Sequence, residues 1–119
     1  MHVDEGVSKD FFRLFGTKEE LEGMVKEFEA SARRCLDEVR AHLKKPDVDF
    51  GAIRVSFHSL RGVARHVGAS AMFQELSRLQ LVAEREKDVN ACSKGVETVA
   101  AEVELVAKDL RQKISEFSL

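Results

Sequence analysis

The chain has 119 residues, one proline, 44% hydrophobic and 34% charged side chains, which suits a single domain with one modest core and a well-solvated surface. A net charge of −2 gives no general pull toward nucleic acid or an anionic membrane, so positive charge that serves a function has to be local. No apolar run approaches the roughly 20 residues of a membrane helix. No secretory signal opens the sequence, and Cys35 and Cys92 fit neither a metal nor a redox spacing. Cys35 falls on an apolar stripe and reads as a buried reduced thiol, so the expected location is the cytoplasm or the nucleus.

Residues 1–7 read as a loose start. Ser8 to Phe15 predicts a short, strongly apolar helix through Phe11, Phe12, Leu14 and Phe15, ended by Gly16. Phe11, Phe12 and Phe15 suit a lid over one end of a helical bundle, and an outward side of the same lid is a candidate partner surface. Thr17-Lys18-Glu19-Glu20 is a capping-box pattern that opens the next helix. Leu21, Met24, Val25, Phe28, Ala32, Cys35, Leu36, Val39 and Leu43 then keep helical spacing until Pro46 closes the element.

Asp49 is placed to cap a second long helix that runs to about Val67. At 100° per residue, Ile53, Phe57, Leu60, Ala64 and Val67 share an apolar stripe. Arg54, His58, Arg61 and Arg65 share another face, turned largely toward solvent. An imidazole there has guanidiniums one turn to either side and a third two turns on. Gly62 removes a side chain beside it, at a cost of about 1 kcal/mol relative to alanine in a helix interior. That expense implies a need for space. An open histidine in a cationic patch suits the carrying of an anion such as phosphate.

Gly68 predicts a break, and Ser70 is placed to cap the following helix. Its inward stripe is Met72, Leu76, Leu79 and Ala83, with Phe73 and Gln80 beside it. Glu84 to Asp88 and then Asn90 predict a turn. Val96, Val99, Val103, Val106, Leu110, Ile114 and Phe117 stripe the last helix. Four amphipathic helices with short connections predict an all-α, antiparallel up-down-up-down four-helix bundle with a short additional N-terminal helix.

The stretch His58-Ser59-Leu60-Arg61-Gly62, with Gly68 six residues later, resembles the His-x-Leu-Lys-Gly signature of histidine-containing phosphotransfer (HPt) domains, the carriers of multistep phosphorelays. Arg61 stands at the usual lysine, and Val63-Ala64 replaces the small polar pair often found after the glycine. The resemblance implies the same bundle and a phosphoryl-accepting His58. The donor and acceptor would be aspartates on receiver domains of response regulators or hybrid histidine kinases. It implies that the receiver brings Mg²⁺ and most of the electrostatic catalysis, so this chain needs no cofactor or metal of its own and has no autokinase activity. Arg61 would neutralise charge on the phosphoryl oxygens. Gly62 would leave room for the receiver, and Arg54 and Arg65 would contact its acidic surface.

Gln80 falls where some eukaryotic HPt proteins carry a glutamine that hydrogen-bonds the active imidazole. Its amide oxygen would accept from Nδ1–H and leave Nε2 free to attack. The protein is expected to act as a monomer. The rival reading is a non-catalytic helical adaptor that keeps the bundle and only binds a partner, for which Val63-Ala64 is the support. A metal site on His58 and His66 is disfavoured, since eight residues on one helix turn their directions about 80° apart.

Overall fold

The structure, a computed structural model, describes residues 17–117. Those residues form α1 (Lys18–Leu43), α2 (Phe50–His66), α3 (Ser70–Leu81) continued by a π turn (Val82–Glu86), and α4 (Val89–Phe117). The short connections reverse the chain each time, and α1 packs on both α2 and α4, while α3 packs on α2 and α4. The result is the all-α four-helix bundle. The short helix expected at Ser8 to Phe15 lies outside the described residues.

Each helix starts where the sequence offers a cap or a backbone substitute for one. Thr17 accepts the Glu20 N–H at 3.1 Å, Asp49 accepts that of Ala52 at 3.0 Å, and Asp88 accepts that of Ala91 at 3.1 Å. Ser70 does not cap α3, because it is already the first helical residue. Ala69 holds the cap position without a side-chain bond. The reason is the turn before it. Gly68 sits at φ 76°, and its N–H reaches Arg65 O (3.1 Å) while the Ala69 N–H reaches Ala64 O (2.8 Å). This is a Schellman turn, which satisfies the last carbonyls of α2 and leads straight into α3.

The turn predicted over Glu84 to Asp88 is shorter than expected. The helix continues through Glu86 as a π turn, closed by the Lys87 N–H on Val82 O at 2.8 Å, and Lys87 reverses the chain at φ 50°.

The core comprises the expected stripes: Leu21, Val25, Phe28, Ala32, Leu36 and Val39 from α1; Ile53, Phe57, Leu60 and Ala64 from α2; Met72, Leu76 and Leu79 from α3; and Val96, Val99, Val103, Val106, Leu110 and Ile114 from α4. Burying such side chains contributes about 1.5–3 kcal/mol each before the ordering entropy is subtracted. At Gly95 the approach is closest. A Cβ there would lie 2.1 Å from Leu79 Cδ2, so glycine is what lets α4 meet α3 at this level.

One single-residue expectation changes. Cys35 is half-buried, its Sγ 3.3 Å from Ser56 O, and Cys92 is the fully buried thiol. Burial pushes both thiols above their ordinary pKa, which keeps them protonated. His42 near the end of α1 is half-buried with Nδ1 enclosed by protein.

Gly68 and Gly62 respond to the same substitution with opposite signs. Gly68→Ala forces a Cβ into the left-handed region and lowers stability by about 1–2 kcal/mol. Gly62 lies inside α2, and a Cβ added there would meet no atom of the described residues within 4 Å, so Gly62→Ala raises stability by about 0.5–1 kcal/mol. Urea unfolding followed by circular dichroism measures both.

Candidate functional site

α2 buries one stripe, so its opposite face is committed to solvent. His58 is exposed there, with Arg54 half-buried one turn before it, Arg61 half-buried about one turn after, and Arg65 exposed about two turns after. Because the Gly68 turn makes α3 antiparallel to α2, residues about equally far on either side of the turn come together. Gln80, twelve residues after Gly68, faces His58, ten residues before it.

The His58 Nδ1 lies 3.4 Å from Gln80 Oε1. That is a long hydrogen bond, and of the two tautomers only Nδ1–H can donate to the amide oxygen. In that tautomer Nε2 would be the unprotonated ring nitrogen. The two residues singled out from the sequence on separate helices are therefore brought together.

Gly62 is exposed, and the space beside it is open. It borders a groove of about 500 Å³ between α1 and α2, lined in part by Met24, Phe28, Ser59, Val63 and His66. Arg61 is held differently from the other cations. Its guanidinium carbon stands 5.2 Å from the centroid of the Phe73 ring on α3. The sequence pattern gives Phe73 no role beyond a place beside the inward stripe. The available signal is register, since Phe73 follows Gly68 by five residues and Arg61 precedes it by seven. Phe11, Phe12 and Phe15 lie outside the described residues.

The opposite side of the bundle has surface ion pairs instead of a site. Arg40 joins Glu97 at 3.0 Å, and Arg111 joins Glu29, both between α1 and α4. Exposed pairs of this kind contribute about 0–1 kcal/mol. Among the described residues no three histidine, cysteine or carboxylate side chains gather in a way that would hold a metal ion.

The fold and the candidate site are thus those of a four-helix bundle in which the exposed imidazole of His58 lies against an amide and among arginines on the outside of one helix. The Hpt domain family matches residues 23–112, and the chain belongs to that family. Among solved structures, it is similar to a putative histidine-containing phosphotransfer protein from rice. Identity is 24%, coverage is 96% of this chain and 79% of that one, and the TM-score is 0.76. It is also similar to a histidine-containing phosphotransfer protein from maize, at 21% identity, with 99% and 88% of the two chains covered and a TM-score of 0.81. A search of curated proteins finds no match.

Members of this family are phosphocarriers of phosphorelays that meet receiver domains, not classical enzymes, and phosphotransfer is accordingly this chain's class of function. Among the described residues no helix is long and apolar enough to cross a membrane.

The Gln80 contact has a spectroscopic consequence. In the parent, nitrogen NMR at a pH where His58 is neutral should find the proton on Nδ1. Gln80→Leu removes the acceptor and should return the ring to the Nε2–H tautomer that free histidine favours. An unchanged tautomer in that variant would show that Gln80 does not orient the ring.

Proposed function

We propose that His58 accepts a phosphoryl group from an aspartyl phosphate of one receiver domain and passes it to the aspartate of another. The observation that carries this reading is the pairing of an exposed His58 with Gln80 at 3.4 Å beside the open space at Gly62, within the Hpt fold.

The step follows from the tautomer. The Nε2 lone pair forms the N–P bond as the bond between phosphorus and the donor carboxylate oxygen breaks, and the carboxylate leaves with that electron pair. Nε2 carries no proton to lose. The ring ends positively charged, with its Nδ1–H directed at Gln80 Oε1. Return transfer reverses these bonds on a second receiver.

Phosphoryl transfer demands positioning and charge stabilisation more than covalent chemistry from the protein. In this reading Arg61 neutralises charge on the phosphoryl oxygens, Arg54 and Arg65 dock the acidic receiver face, and Gly62 admits the receiver. The receiver supplies Mg²⁺. The chain works as a monomer and has no kinase activity of its own.

Phosphate capture from a phosphorylated receiver in Mg²⁺ tests this directly. The parent should acquire an acid-labile phosphate, and His58→Gln should acquire none. Gly62→Ala should fold and yet transfer roughly 10- to 100-fold more slowly, the scale on which ångström-level misplacement acts. No label across several receivers, with unchanged receiver binding by parent and His58→Gln, would overturn the carrier role and leave an adaptor.

A further inference from the structure

We propose that Phe73 is a positioning residue that holds the Arg61 guanidinium ready for the phosphoryl group, and that this aromatic platform is what makes arginine workable at a position where the resembling signature has lysine. The inference rests on the carrier role of His58.

Three observations meet at this pair. Arg61 Cζ stands 5.2 Å from the Phe73 ring centroid, within the range of a cation–π contact. The platform is itself anchored, because the Phe73 side chain is partly buried against the core and its backbone is held in the helix. The Phe73 N–H bonds Ala69 O at 2.9 Å in the first turn of α3, and its carbonyl accepts from Ser77 Oγ at 2.9 Å. Finally, among the described residues no carboxylate pairs with Arg61, unlike Arg33, Arg40, Arg78 and Arg111. Among the described residues its charge is therefore held in place without being cancelled.

That combination matters for a group that must meet an anion. A carboxylate partner would orient Arg61 but compete with the phosphoryl oxygens for it. A ring face attracts the cation through its quadrupole and leaves the N–H donors of the guanidinium edge unspent. Restricting a long side chain beforehand also reduces the rotamer freedom lost when the anion arrives. A planar guanidinium stacks on such a face, whereas a compact, strongly hydrated ammonium gains less. The ring on α3 and the arginine on α2 thus form one unit across the Gly68 turn.

The test measures phosphoryl uptake from a phosphorylated receiver in the parent, Phe73→Leu, Phe73→Tyr, Arg61→Gln and the Phe73→Leu/Arg61→Gln double variant. Phe73→Leu should slow uptake about two- to fivefold, the fold-change equivalent of an exposed cation–π contact. Phe73→Tyr should keep the parent rate, and Phe73→Leu should have no further effect once Arg61 is glutamine. Proton NMR of the Arg61 δ-methylene should show ring-current shifts in the parent that vanish in Phe73→Leu, a readout that needs no receiver. Parent rates in Phe73→Leu, an equal loss in the Arg61→Gln background, or unshifted Arg61 protons in the parent would each overturn the role of Phe73 while His58 still carried phosphate. A parent that takes up no phosphate would overturn the carrier role and this inference together.

Discussion

The left-handed backbone at Gly68 sets the register on which the site depends. With no Cβ to clash, the chain closes the Schellman turn and runs from α2 into α3 within three residues. A turn this tight leaves little freedom in how the two helices slide along one another. It places an amide against His58 and an aromatic ring against Arg61, from two positions seven residues apart on the same antiparallel neighbour. A looser connection would preserve the hydrophobic contact while letting the polar pairs drift.

Packing holds that hairpin from behind. Leu76 and Leu79 on α3 are fully buried, and Leu79 sits against the bare backbone of Gly95 on α4. Gln80 is the next residue after Leu79, so the close helix approach on the inside anchors the side chain that faces outward. The ion pairs between α1 and α4 lie on another side and add little to this arrangement. The bundle thus divides its faces. Aliphatic stripes supply stability, and the solvent face of the α2–α3 hairpin carries the candidate site.

Much of this is legible in the sequence because it depends on period and local chemistry. The spacing of Leu21 through Leu43 announces α1, Thr17 and Asp49 announce caps, and Gly68 announces the break. His58 and Gln80 stand out because one lies in a motif and the other at a family-related offset. Other features depend on geometry between elements. Ser70 looks like a cap, yet the backbone of the Schellman turn occupies that role first. The π turn over Val82–Glu86 depends on one N–H reaching five residues back, which side-chain pattern does not report. Phe73 gains meaning only when register sets it over Arg61.

The empty space beside Gly62 has a consequence for how such a chain ages over generations. Purifying selection for a folded protein protects the buried stripes and the turn at Gly68, because loss there is felt by every molecule. It gives Gly62 no protection, since an added Cβ meets no neighbour among the described residues. On the role proposed for Gly62, only selection acting through the relay itself retains that glycine. Where the relay falls out of use, descendants should drift toward sturdier bundles that keep the fold and the docking surface but no longer admit a partner's reacting group. The path from carrier to silent relative runs downhill in free energy.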